Sequence, residues 1–175
     1  MVKAMRDASP DILMDVHLCV DRPARYVTSL AKAGATSIIF QFEALKNANE
    51  ALDLARTIKA NGMEVGISIN PSTPVKEIIP LLQGKLFDII DILAVEPGFG
   101  GQKFQPSILS KVEDLALLKA QKGLAIKLMI DGGMNGDTSN SAISAGADIL
   151  VAGTFLFRHE AGITDAKQLL LDISE

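Results

Sequence analysis

Two ionisable side chains stand where short apolar runs end. His17 closes Met14-Asp15-Val16-His17, and Asp131 closes Leu128-Met129-Ile130-Asp131. An imidazole and a carboxylate facing one opening can share a divalent cation or relay a proton. Two protein ligands are one fewer than the three a catalytic zinc usually has. Glycines accompany them in Pro97-Gly98-Phe99-Gly100-Gly101-Gln102, Asp131-Gly132-Gly133 and Ala152-Gly153-Thr154, each before a helix-like pattern. Glycine lets backbone N–H groups approach an anion, and a helix start adds partial positive charge, so a phosphate is the natural guest. Neither GxGxxG nor GxxxxGK[ST] occurs, which leaves dinucleotide and nucleoside-triphosphate fingerprints out. His159 lies in a charged, loop-like stretch and reads as solvated. Cys19 reads as a small buried apolar residue.

The elements that must position these groups repeat one grammar: a helix-like pattern, a glycine, then a β-branched run. The glycines are Gly34, Gly62, Gly84, Gly123 and Gly146, placed where a left-handed helix C-cap favours a residue without Cβ. Strands are expected near 12–17, 37–42, 64–69, 88–95, 126–130 and 148–152. Helices are expected near 22–33, 47–61, 74–83, 106–121, 136–145 and 164–173. The strands are nearly continuous apolar runs, the pattern of strands covered on both faces, so a parallel α/β sheet with right-handed crossovers follows. Ligand sites in such folds lie at the carboxyl ends of strands. All six ends carry polar or glycine residues: His17, Gln41 with Glu43, Asn70-Pro71, Glu96-Pro97-Gly98, Asp131-Gly132-Gly133 and Gly153-Thr154. An open sheet concentrates its site at one crevice, whereas a barrel brings every end to one mouth; six such ends favour the barrel.

Composition bounds the rest. With 175 residues, 48% of them hydrophobic, the chain can bury about 70% of its extended surface as one domain over 1–175. Seventeen basic against 21 acidic residues give a net charge of −4, and no Lys/Arg run occurs, which argues against nucleic acid or an anionic membrane as partner. A single cysteine and no apolar stretch of membrane-spanning length suit a cytoplasmic protein acting on a small molecule.

His17-Leu18-Cys19-Val20, Phe40-Gln41-Phe42-Glu43-Ala44, Val95 to Gln102 with Phe104, Asp131-Gly132-Gly133 and Val151-Ala152-Gly153-Thr154 together resemble the ordered motifs of ribulose-phosphate 3-epimerases, from about Asp11 to about Phe157. The Val-Glu-Pro-Gly-Phe-Gly-Gly-Gln stretch is the most specific of them. The resemblance implies a phosphate-binding (β/α)8 TIM barrel that interconverts D-ribulose 5-phosphate and D-xylulose 5-phosphate with a divalent metal. It implies His17 and Asp131 as metal ligands, with Asp131 also one of two acid/base carboxylates. It assigns substrate and phosphate binding to His17, Gly98, Phe99, Gly100, Gly101, Gly132, Gly133, Gly153 and Thr154. Zinc or iron(II), or else manganese or cobalt, suits a histidine-plus-carboxylate set.

Departures from the family pattern are part of the expectation. About six βα units are countable, and Met1 to Pro10 reads as the tail of a helix before the first of them. The family's His-x-Asp pair and first-strand serine have no counterpart here. Gln41 stands where the pattern has histidine; it can hydrogen-bond but carries no proton at neutral pH. Cys19 and Leu93 replace methionines that often line the substrate face. Loss of one acid/base group costs about 10²- to 10⁴-fold. Six strands leave two unclosed edges, which predicts a homo-oligomer. The competing readings are a non-catalytic phosphosugar-binding or oligomerising barrel remnant, and another phosphate-barrel enzyme such as a hexulose-phosphate synthase or allulose-phosphate epimerase.

Overall fold

The computed structural model describes residues 1–173; residues 174 and 175, the last two of the 1–175 domain expectation, lie outside the described residues. In chain order the elements are α1 (Val2–Ala8), β1 (Asp15–Leu18), α2 (Val27–Ala33), β2 (Ser37–Gln41), α3 (Ala48–Ala60), β3 (Glu64–Ile69), α4 (Ile79–Leu82), β4 (Ile89–Leu93), α5 (Leu109–Lys122), β5 (Lys127–Asp131), α6 (Gly136–Ser144), β6 (Ile149–Val151), α7 (Gly153–Phe157) and α8 (Ile163–Asp172). The strands follow one another in the sheet in the order β1-β2-β3-β4-β5-β6. Chain-order adjacency of strands separated by helices is the signature of successive βα units. The chain divides into two compact units, one of Met1–Ile69 with Lys76–Ile90, the other of Asn70–Val75 with Asp91–Glu175.

In the first unit β1, β2 and β3 pair in parallel, with His17 opposite Ile39 and Gln41 opposite Ser68. Every residue of β2 is buried, as are all but the first of β3. That matches strands covered on both faces and explains their lack of apolar/polar alternation. The core beneath them comes from Ala51, Leu54, Ala55 and Ile58 on one stripe of α3, at the i, i+3, i+4, i+7 spacing of a packed helix face. Arg6 ties α1 to the α2–β2 turn, donating from Nε and Nη2 to the Gly34 carbonyl at 3.1 and 2.8 Å. In the second unit β5 and β6 pair in parallel, with Asp131 opposite Val151. Val112 and Leu115 of α5, and Ala142 of α6, are buried.

One device occurs once in each unit. Asp88, just before β4, accepts from the Val65 backbone N–H at 2.7 Å and pairs with Lys59 at 2.6 Å. Asp148, just before β6, accepts from the Leu128 N–H at 2.7 Å and pairs with Lys119 at 2.7 Å. Both aspartates clamp a strand's amino end to its predecessor and to the helix between.

The helix–glycine–strand grammar holds at Gly34 and Gly146, whose φ values of 89° and 105° are left-handed. The next residues, Ala35 and Ala147, donate back to Leu30 and Ala142 at 3.1 Å each, the pattern of a Schellman cap. At Gly84 it differs: the left-handed residue is Lys85, φ 51°. The expected helix at 22–33 begins as a 3-10 turn, Pro23–Tyr26, because a proline at the start supplies a fixed φ but no N–H. The expected helix at 74–83 splits into a 3-10 turn, Val75–Glu77, and the four residues of α4, which has Pro80 in its first turn. The first strand is shorter than expected, and α7 is an additional helix directly after β6. Among the described residues, no helix is long and apolar enough to cross a membrane.

Candidate active site

In the first unit, β1 carries His17 as its third residue, half-buried. Gln41 ends β2 and is buried; Glu43 follows in the 3-10 turn Phe42–Ala44. The Gln41 amide nitrogen donates to Glu43 Oε2 at 2.8 Å, and its Oε1 lies 3.1 Å from His17 Nε2. A carboxylate only accepts, so Glu43 fixes which end of the amide is nitrogen. The oxygen therefore faces His17, whose Nε2 carries the proton in this arrangement, and the ring's lone pair is on Nδ1. Cys19 is exposed rather than buried, with Sγ 3.5 Å from His17 Nε2. The strand ends at Leu18, so Cys19 already lies in the loop, beyond the alternation that would have turned it inward.

In the second unit, Asp131 ends β5 and its backbone carbonyl accepts from Ala94 N–H at 2.7 Å. Asp91, the middle residue of β4, is only 1% exposed. Carboxylate oxygens of Asp91 and Asp131 lie within 4.8 Å of each other. Two carboxylates at that separation repel when both are charged, and a divalent cation between them converts the repulsion into attraction.

The glycine-bearing loops of this unit converge. Gly132 and Gly133 have φ values of 117° and 67°, and a Cβ on them would meet Val95 Cγ2 at 2.6 Å and Phe104 N at 2.5 Å. The turn after Asp131 is therefore restricted to glycine twice over, by backbone angle and by close approach. Gly100 and Gly101 lie beside Thr154, with Thr154 Oγ1 3.5 Å from where a Gly100 Cβ would be. Gln102 Nε2 ties this loop by donating to the carbonyls of Glu96 at 2.7 Å and Phe99 at 2.9 Å. Gly98 has φ 150° and Phe99 is 75% exposed. Asn135 caps α6 by accepting from Asp137 and Thr138 N–H groups, and Thr138 Oγ1 accepts from Asn135 N–H in return. That occupies the start of α6, whereas α7, with Gly153 and Thr154 in its first turn, has no side-chain cap.

Of the residues expected from sequence, the second unit thus brings together Asp131, Gly132, Gly133, Gly98, Phe99, Gly100, Gly101, Gly153 and Thr154, and the first unit holds His17. His159 is half-buried rather than solvated. Its ring meets Phe155 edge-on at 5.1 Å and its Nδ1 accepts from Ala161 N–H. Sequence reading missed Asp91, although a lone acid inside Ile89-Ile90-Asp91-Ile92-Leu93 is itself a signal. It also missed Lys111, whose ammonium donates to the carbonyls of Asn70, Pro71 and Thr73 at 3.2, 2.5 and 2.6 Å and so fixes the loop after β3.

The comparisons with known proteins agree with this layout. Ribulose-phosphate 3-epimerase of Mycobacterium bovis is 41% identical over 150 residues, covering 86% of this chain and 63% of that one. The Bacillus subtilis enzyme of the same name is 36% identical over 174 residues, covering 99% and 76%. The chain therefore spans a little under two thirds of the length of the first of these relatives. Among solved structures, a 3-hexulose-6-phosphate synthase superposes with a TM-score of 0.73 at 16% identity, covering 97% of this chain and 78% of that one. KGPDC of Streptococcus mutans, in complex with a D-pentose 5-phosphate, superposes with a TM-score of 0.77 at 14% identity, covering 98% and 77%. Those two show the fold alone, the phosphate-binding (β/α)8-barrel class, here with six strands. Residues 1–157 match the ribulose-phosphate 3 epimerase family, and with relatives of that name at this identity the chain belongs to that family.

Proposed function

We propose that this chain, residues 1–175 acting as one barrel domain, carries out metal-dependent proton transfer at C3 of D-ribulose 5-phosphate, the chemistry that interconverts it with D-xylulose 5-phosphate. The observation that carries this reading is the junction Asp131-Gly132-Gly133. There a carboxylate at a strand end continues into a turn that only glycine can make, in the same unit as Gly98–Gly101 and Thr154. A phosphate held by backbone N–H groups of Gly98, Gly100, Gly101, Gly132, Gly133, Gly153 and Thr154 anchors one end of the sugar. Phe99, exposed on the loop, covers the sugar from the solvent side. The KGPDC neighbour was solved with a D-pentose 5-phosphate, which supports a sugar of that size as guest of this fold.

Asp131 is the catalytic carboxylate: it takes the proton from C3 and returns it, a general acid–base role. His17 and Asp131 hold the cation. An imidazole nitrogen with carboxylate oxygens is a donor set that suits zinc, iron(II), manganese or cobalt. When bound, the cation supplies positive charge beside the C2 and C3 oxygens as negative charge develops there. The Gln41 amide, oriented by Glu43, holds the His17 ring. Inversion also needs a proton delivered to the opposite face of C3. The family places that group on a His-x-Asp pair, and the sequence contains no such pair. Proton exchange at C3 is therefore expected to outpace inversion, with turnover about 10²- to 10⁴-fold below that of an enzyme with both carboxylates. The chain works in the cytoplasm and associates with copies of itself.

The test is incubation of the purified chain with D-ribulose 5-phosphate and each of the four metals, following D-xylulose 5-phosphate by a coupled assay. Slow, metal-dependent product formation supports the reading. Metal-loaded protein that binds the sugar phosphate without turning it over or exchanging its C3 proton would leave a phosphosugar-binding module instead.

A further inference from the structure

Asp91 is used by none of the motifs above. It sits at the centre of β4 between Ile90 and Ile92, every residue of that strand is buried, and Asp91 itself is 1% exposed. A carboxylate so placed is costly unless it is paired or coordinates a cation. Its oxygens lie within 4.8 Å of those of Asp131, so each acid makes the other more costly as long as both are charged.

We propose that Asp91 is a third protein ligand of the divalent cation held by His17 and Asp131. This rests on the metal reading above and deepens it. Among the described residues, His17, Asp91 and Asp131 form the set of side chains able to hold a metal ion. Together they supply one nitrogen and two oxygens, the number of protein ligands that leaves a zinc-like ion open positions for substrate. The second carboxylate also changes the balance of donors. Two hard oxygens against one imidazole shift preference toward manganese and iron(II) relative to a site dominated by histidine. Asp91 thus supplies a ligand within the chain in place of the His-x-Asp pair that the sequence does not contain.

Metal binding by the stripped 175-residue chain, read by calorimetry with manganese and zinc and by the visible absorption of cobalt(II), tests this without reference to activity. Wild type, Asp91→Asn, Asp91→Leu and Asp131→Asn are compared, each with thermal unfolding in the absence and presence of metal. Removing a ligand is expected to weaken binding by at least the roughly 10- to 100-fold that loss of a supporting partner costs, and to alter the cobalt spectrum. Asp91→Asn is expected to leave the metal-free Tm unchanged or higher, because a repulsion is removed, while abolishing the metal-induced rise. Should the Asn variant fail to fold, the Leu variant, apolar like its strand neighbours, carries the same comparison. Wild-type metal affinity and Tm rise in the Asp91 variants, alongside their loss in Asp131→Asn, would overturn the role of Asp91 and leave the metal reading standing. A metal-free Tm that falls with wild-type affinity retained would assign Asp91 to structure alone. Failure of the wild type to bind any of the metals would overturn both.

Discussion

At the scale of single residues, the site depends on groups held by their neighbours. Gln41 and Glu43 form a relay of oriented dipoles behind His17: the carboxylate fixes the amide, and the amide fixes the ring. Partners of this kind around a metal-binding histidine typically contribute about 10- to 100-fold in metal affinity. Gln41→Leu should therefore weaken metal binding by that factor in calorimetry, with little change in secondary structure by circular dichroism. Asp131→Asn keeps the size of the side chain but removes its basicity, so C3 proton exchange should fall by at least about 10²-fold while the sugar phosphate still binds. His17, Asp131 and the glycines were legible from sequence because strand ends advertise themselves: an apolar run stops at a polar residue or a glycine. Asp91 was not, because it interrupts a run instead of ending one. Cys19 was misread as buried for a related reason: β1 is only four residues long, and the rule of alternating faces stops where the strand does.

At the scale of elements, continuous apolar runs located all six strands, since burial on both faces leaves no polar residue to confuse the reading. Short turns were less visible. Prolines at 23, 80 and 106 stand at the start of 3-10 or α segments and favour a tight first turn over a long helix, which broke two of the expected helices. The paired clamps of Asp88 and Asp148 lie at the amino ends of strands, opposite to where barrels place their chemistry. Each carries a charge-assisted hydrogen bond to a strand N–H, with a lysine partner roughly a third exposed. Asp148→Ala is expected to cost about 1–3 kcal/mol in urea unfolding, mostly from the orphaned Leu128 N–H, since the solvent-facing ion pair adds little. Metal affinity should not change. A matching loss of metal binding would mean that the two ends of the strands are coupled.

At the scale of the whole molecule, parallel strands in chain order with helices between them, a match to the epimerase family over residues 1–157 and barrel enzymes as structural neighbours give one consistent reading of the fold. β1 and β6 stand at the two ends of the strand order, where backbone N–H and C=O groups can accept another strand. Ile12 and Leu13, just before β1, are exposed at 48% and 76%. Edges with apolar side chains beside them favour association, so sedimentation velocity should show a species larger than 18.6 kDa that grows with concentration; a monomer at every concentration would contradict this. The unit-by-unit repeat was legible because each βα unit reuses the same helix–glycine–strand syntax, as at Gly34 and Gly146. Ligand placement was only partly so, because it depends on which residues of separate strands meet, and a single sequence does not encode that as a local pattern.

The central claim is that Asp131 moves the C3 proton of a sugar phosphate beside a divalent cation. Proton NMR of D-ribulose 5-phosphate in deuterated buffer, with the metal-loaded chain, measures that step directly. The expected result is loss of the C3 proton signal that requires metal and disappears in Asp131→Asn. Exchange that persists in that variant, or its absence in wild-type protein shown to hold both metal and sugar phosphate, would contradict the account.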